Sequence, residues 1–246
     1  MSSEPKPALS AHQPRPRWDL DDRCRRFPFL GALRERILVF DGGMGTMVHA
    51  SDVTLDDYRG KENCVELLCE TRPDVIQGIH AAYFAAGADA VETNTFGATP
   101  LVLSEFGLEQ KAFELSRRSA QIAREVAAQF STAARPRFVS GSVGPTTKSL
   151  SLGHIDWKTQ FESYATSIHG MIEGGIDVVQ VETQFDLLNL KCAVLAAREA
   201  MARAGREVPI IAQVTIETTG TMLVGTEIAA ALPLLEALDV DVVGLN

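Results

Sequence analysis

The sequence predicts an α/β fold: a (β/α)8 TIM-type barrel, truncated after its sixth strand. Three observations predict it. From Ile37 onward, short apolar runs alternate with longer segments of helical periodicity. The runs are rich in β-branched residues and apolar at successive positions, as strands covered on both faces of a parallel sheet must be. Acidic and polar residues stand where runs end, at Asp41, Glu92 and Glu182, and strand C-termini are where parallel α/β folds place their sites. No run leads into a Gly-x-Gly-x-x-Gly turn and no P-loop occurs, which favours a barrel over an open doubly wound sheet.

Residues 1–36 precede the alternation. They carry Pro5, Pro7, Pro14, Pro16 and Pro28 among scattered arginines, with little to bury, and are expected to form an extended N-terminal tail. Glu4, Asp19, Asp21 and Asp22 interrupt the arginines, unlike a mitochondrial targeting segment. Residues 37–246 are expected to form the partial barrel, with strands at 37–40, 88–91, 138–143, 178–181, 210–214 and 240–245. A helix opens at Thr71-Arg72-Pro73 and closes at Gly87, with Ile76, Ile79 and Tyr83 on one stripe. Leu115, Ile122, Val126 and Phe130 mark the next. Asp156 reads as the N-cap of a third, and Asp186 opens a fourth that stops at Gly205. The last, 227–238, contains Pro233, expected to kink it. Gly87-Ala88-Asp89 and Gly175-Ile176-Asp177 repeat one unit: a helix stop, an aspartate where the strand begins, an apolar strand and a carboxylate at its end. A barrel needs eight strands, and six are found before Asn246, so the barrel is expected to be cut short.

Composition bounds the partners. The 246 residues are 46% hydrophobic and 22% charged, as in an ordinary globular protein, and the net charge of −9 disfavours nucleic acid and anionic membranes. No apolar run reaches the length of a bilayer span and no secretory h-region precedes the alternation, so a cytoplasmic protein is expected. Cys24, Cys64, Cys69 and Cys192 form no C-x-x-C pair and read as small buried thiols. His12, His49, His80, His154 and His169 show no ligand spacing and are expected at the surface or in supporting positions, while Met44 and Met47 read as packing residues.

The chemistry is expected at the strand ends. Asp41-Gly42-Gly43-Met44-Gly45-Thr46 reads either as a tight βα turn or as exposed N–H groups beside a carboxylate. Glu92-Thr93-Asn94-Thr95, Glu182-Thr183-Gln184 and Gly144-Pro145-Thr146-Thr147 add further polar ends. Carboxylates gathered with free N–H groups suit a zwitterionic amino acid, the acids meeting its ammonium and the backbone its carboxylate. Alternatively, Glu92 or Glu182 is a buried acid paired with a neighbouring Lys or Arg.

Taken in order, several segments resemble the homocysteine S-methyltransferase family over residues 36–246. They are the run 37–46, Gly87-Ala88-Asp89 continuing to Glu92-Thr93-Asn94-Thr95-Phe96, Gly144-Pro145-Thr146, Val181-Glu182-Thr183 and Gly244-Leu245-Asn246. The likeness is greatest to the homocysteine-binding module of its cobalamin-dependent members, to which Gly220-Thr221-Met222-Leu223-Val224-Gly225 is also similar. The resemblance implies a (β/α)8 barrel in which Asp41 and Glu182 face the homocysteine amino group and backbone near Gly42 and Thr146 meets its carboxylate. Glu92, Asn94 and Asn246 complete the expected substrate-binding set. It further implies methyl transfer to a zinc-activated homocysteine thiolate to give methionine, with methylcobalamin supplied by another module and cobalamin and folate modules as partners. The family's three zinc cysteines have no counterpart here. The ligands are therefore expected beyond Asn246, the first as Cys at position 247, and the chain alone is expected to be inactive. Two other readings remain open: a stand-alone methyltransferase using betaine or S-methylmethionine, and a non-catalytic amino-acid-binding protein on the same fold.

Overall fold

Five parallel strands form one sheet whose spatial order is the order of the sequence. That is the order of a (β/α) barrel; a doubly wound sheet reverses direction at a switch point. The computed structural model describes residues 20–246. In chain order it contains α1 (Leu20–Arg26), α2 (Pro28–Glu35), α3 (Met44–His49), α4 (Leu68–Thr71), α5 (Pro73–Ala86), β1 (Ala90–Glu92), α6 (Pro100–Leu103) and α7 (Ala112–Phe130). There follow β2 (Phe138–Val143), α8 (Trp157–Gly174), β3 (Val178–Gln184), α9 (Leu187–Ala204), β4 (Ile210–Val214), α10 (Ile228–Ala237) and β5 (Val242–Leu245).

The helix boundaries follow from local chemistry. Pro73 opens α5 and Gly87 closes it at φ 114°. Asp156 caps α8, accepting from Thr159 N, and Asp186 caps α9, accepting from Leu188 N, with Gly205 closing α9 at φ 61°. Pro233 lies inside α10. The core lies between the sheet and α7, α8 and α9, and alanines at positions such as 120, 123, 193, 196 and 197 keep these helices close. On α8, a Cβ at Gly170 would fall 2.3 Å from Phe113 O and one at Gly174 2.4 Å from Arg117 O, so both glycines are required by the approach of α7.

Two expectations are corrected. The run 37–40 does not form a strand. Only Phe40 bridges the sheet, to Ala90, supported by Asp89 N–H to Val39 O at 2.6 Å and Asp41 N–H to Ala90 O at 3.1 Å. Ile37 and Val39 are 87% and 57% exposed; a ladder needs partners, and among the described residues this segment has one on one side only. Residues 20–35 are not an extended tail but two helices. Pro28 sits in the first turn of α2, and Phe29 and Leu30 are buried against Leu38, Ala90, Phe138, Val178 and Ile211, closing the N-terminal end of the sheet. Pro5, Pro7, Pro14 and Pro16 lie outside the described residues.

The repeated aspartates tie neighbouring strands together. Asp89 accepts from Val39 N at 3.0 Å, Asp177 from Val139 N at 2.7 Å and Asp241 from Ile210 N at 2.8 Å. Each also takes an arginine: Arg36 on Asp89, Arg124 on Asp177 and Arg23 on Asp241. The N-terminal end of the sheet is thereby fixed, leaving the C-terminal end for chemistry.

Candidate substrate-binding site

At the C-terminal ends of the strands lies a cavity of about 370 Å³. Asp41 and Gly42 through Gly45 line it from the first βα turn, Glu92 through Asn94 and Phe96 from the end of β1, Ser142 from β2, Glu182 from β3, and Val65 and Glu66 from a short 3-10 segment. Of the seven residues expected from sequence, Asp41, Gly42, Glu92, Asn94 and Glu182 are brought together here. Thr146 and Asn246 are not. Thr146 is drawn into a buried network, donating from Oγ1 to Lys148 O at 3.0 Å and accepting from Gln160 Nε2 at 2.9 Å. Asn246 donates from Nδ2 to Thr183 Oγ1 at 2.9 Å.

Each carboxylate is held from a different element. Both oxygens of Asp41 lie 3.1 Å from Glu92 N, tying the first turn to β1. Glu182 accepts from Ser142 Oγ at 2.6 Å and from Thr183 Oγ1 at 3.4 Å. Glu92 accepts from Gln180 Nε2, whose carbonyl oxygen accepts from Ser140 Oγ at 3.1 Å. Asn94 turns its amide away from the acids, donating to Val65 O at 2.8 Å and so fastening the 3-10 segment to the β1 exit. Gly42 packs closely on α5: a Cβ there would lie 3.0 Å from Tyr83 Oη and would press on that ring.

Among the described residues, no Lys or Arg pairs with Asp41, Glu92 or Glu182, and no basic side chain lines the cavity. The alternative of structural ion pairs is therefore not what this fold builds. Three acids facing one another in a desolvated cavity resist ionisation. Burial pushes Asp41 up to about 7, against the pull of its N–H contacts. Burial, then the charges of Glu182 and Asp41, push Glu92 up to about 8, and burial raises Glu182 as well. A cavity of this kind favours a cationic group.

The cysteines do not fit a zinc site. Cys64, Cys69 and Cys192 are buried, and burial pushes their thiols up to about 11, 12 and 12. They are held as thiols, whereas zinc takes thiolates. Among the described residues no three His, Cys, Asp or Glu side chains stand where they could hold a metal. No helix among the described residues is long and apolar enough to cross a membrane. His80 departs from expectation: it is fully buried in α5, and neither ring nitrogen has a partner among the described residues. His12 lies outside the described residues.

Residues 38–246 match the model of the homocysteine S-methyltransferase family. The chain belongs to that family. It is 51% identical over 217 residues to the methionine synthases of Mycobacterium tuberculosis and of Mycobacterium leprae, covering 88% of this chain but only 18% of each relative. Among solved structures, the metallated form of the homocysteine methyltransferase MmuM from Escherichia coli superposes with a TM-score of 0.73 at 22% identity, over 89% of this chain and 77% of that one. This last likeness shows the fold, a family barrel.

Sequence reasoning missed Glu66, Ser142 and Phe96. Glu66 is buried on the cavity and accepts from Gly97 N at 2.9 Å, and a Cβ on Gly97 would fall 2.7 Å from its Oε1. The only signal for it was an acid between apolar neighbours in Cys64-Val65-Glu66-Leu67-Leu68. Ser142 lies inside an apolar strand, and its role appears only once β2 and β3 are paired in register.

Proposed function

We propose that this chain is the homocysteine-recognition part of a cobalamin-dependent methyltransferase that forms methionine. The observation that carries this reading is the cation-free acidic cavity at the strand ends of a homocysteine S-methyltransferase fold. Asp41 and Glu182 receive the substrate ammonium, while the backbone of the Gly42–Gly43 turn faces its carboxylate. Glu92 and Asn94 shape the wall beside them, and Asn246 supports Glu182 through Thr183. The three acids thereby orient the amino acid by its α-amino group and leave the side chain free to point away from them.

On this reading the sheet belongs to a (β/α)8 barrel in which the run 37–40, bridged to β1 through Phe40, takes the first strand position and two further βα units complete the ring, so that residues 37–246 are most of that barrel. The exposed apolar side chains Val243 and Leu245 of β5, beside an apolar groove of about 270 Å³ under α10, support it. When bound, zinc activates the thiol of homocysteine, and the reading assigns its cysteine ligands to positions beyond Asn246. Methylcobalamin, and the cobalamin and folate modules that handle it, likewise belong to other parts of a longer cytoplasmic protein. None of the described residues is assigned to either cofactor.

The test uses the full-length protein, with Asp41→Asn and Glu182→Gln made separately. Each keeps the side-chain shape and removes a charge. A charge-assisted hydrogen bond contributes about 1.5–3 kcal/mol, so homocysteine affinity should fall roughly 10- to 150-fold in each variant, with zinc content unchanged. Calorimetry with parallel metal analysis checks it. Unaltered affinity would remove the residue from the site, and lost metal would reassign it to support of the zinc shell.

A further inference from the structure

The cavity presents a charge problem that substrate binding must resolve. Asp41, Glu92 and Glu182 converge on it, Glu66 also lines it, and no Lys, Arg or His does. Glu92 borders a second cavity as well, between the sheet and α2, and its lining also contains no basic residue. Among the described residues no cation thus reaches Glu92 from either side. The three central acids are not equally supplied with donors. Asp41 has the Glu92 N–H within 3.1 Å of both oxygens, and Glu182 accepts one hydroxyl on each oxygen. Glu92 has a single donor, Gln180 Nε2 on Oε1. The Ser140 hydroxyl fixes the direction of the Gln180 amide, so that its nitrogen faces Glu92. Among the described residues nothing donates to Glu92 Oε2. Hydrogen bonds to a carboxylate stabilise its charged form, and of the three acids Glu92 alone has an oxygen that no donor among the described residues reaches.

We propose that Glu92 carries a proton on Oε2 in the free protein and gives it up when an ammonium group enters between Asp41, Glu92 and Glu182, so that amino-acid binding is coupled to proton release. The step balances: the carboxyl O–H breaks, its electron pair stays as the carboxylate charge that meets the ammonium, and the proton leaves to buffer. The pocket is then neutral enough for a metabolite-free state near pH 7 and anionic enough to hold a cation once one arrives. The upward pKa shift of Glu92 through burial and its acidic neighbours agrees with this assignment. The proposal rests on the amino-acid-binding reading above, and it makes Glu92 a selector for ligands bearing an ammonium.

The test uses L-methionine, whose thioether has no ionisable proton, so that thiol ionisation cannot contribute. Titration calorimetry of the full-length protein at pH 7.5, in buffers of different ionisation enthalpy, counts protons released per ligand. Wild type should release roughly 0.7 proton, and its affinity should rise between pH 6 and pH 8 by at most about tenfold per unit. Glu92→Gln should lose most of the release and flatten the pH dependence. Gln180→Met, which removes the one donor to Glu92, should move the midpoint of the wild-type profile to higher pH, an effect that mere loosening of the fold would not produce. Methionine binding with a buffer-independent enthalpy, or full release from Glu92→Gln, overturns the proposal while leaving amino-acid binding intact. Binding of neither methionine nor homocysteine overturns both.

Discussion

Residue by residue, the chain departs from comfortable chemistry at its site and in one helix. Thr183, a β-branched residue, is held at φ 57° within the register shift of β3 between Val181 and Gln184, a conformation costing on the order of 1–3 kcal/mol. It persists because its hydroxyl joins Glu182 to Asn246. His80 is a different cost. Burial depresses its pKa to about 4, whereas an unfolded imidazole titrates near 6.5. Between those values the unfolded chain binds a proton that the folded chain refuses. The stability linked to His80 is therefore whole above about pH 6.5 and is lost as pH falls toward 4, by up to about 3 kcal/mol. His80→Leu should remove this limb: urea unfolding at pH 7 and pH 4.5 should show a smaller drop for the variant than for wild type. The carboxylates titrate in both proteins and cancel in the comparison. Equal drops would mean that His80 gains a partner or water on acidification. Sequence did not foresee this, because the stripe read for this helix ran through Ile76, Ile79 and Tyr83, whereas the buried residues of α5 also include His80 and Phe84.

At the scale of elements, the recurring device is the aspartate that begins a strand and accepts the N–H of the strand before it. At Asp177 two roles compete, since the side chain also meets Arg124. That ion pair is partly exposed on both sides, and such pairs contribute little. The buried Val139 N–H, by contrast, has no alternative acceptor in the parallel ladder, and leaving it unsatisfied costs about 1–3 kcal/mol. Asp177→Ala should therefore lower unfolding stability by that amount, while Asp177→Asn, which keeps an acceptor oxygen, should recover most of it. Denaturant midpoints decide; an Asn variant as unstable as the Ala variant would mean that charge matters more than acceptance. Two of the three aspartates were legible as an internal echo, but Asp241 follows Asp239-Val240 without a preceding glycine and stood outside the pattern. Helix limits at Pro73, Gly87, Asp156, Asp186 and Gly205 were legible because caps act within a few residues. The failure of 37–40 as a strand and the burial of Phe29 were not, since both depend on what lies beside them. The same contrast divides the site: Asp41, Glu92 and Glu182 announce themselves at the ends of apolar runs, whereas Thr146 resembles a site residue until Gln160 of α8 claims its hydroxyl.

For the whole molecule, the ordering of strands and the distribution of exposed apolar side chains bear on one question. In a closed barrel every strand has two neighbours, and interior and exterior faces are both covered. Both margins of the sheet carry exposed aliphatics: Ile37 and Val39 beside β1, and Val243 at 48% and Leu245 at 60% on β5, with Ile228 and Leu232 on α10 beside them. The middle of the sheet exposes nothing comparable; β2 is buried throughout. Free strand margins with apolar side chains are templates for association. Expressed by itself, the 246-residue chain should bind a hydrophobic dye and melt over a broad range that shifts with protein concentration. Extended through the further βα units that the barrel-completion reading assigns to a longer protein, it should lose the dye binding and melt in one concentration-independent transition, because the same backbone groups and side chains would then be paired within one molecule. Light scattering recorded alongside thermal melts of the two forms provides the check. A sharp, concentration-independent transition in the shorter form would mean that its margins are already covered, and the barrel-completion reading would then lose its support.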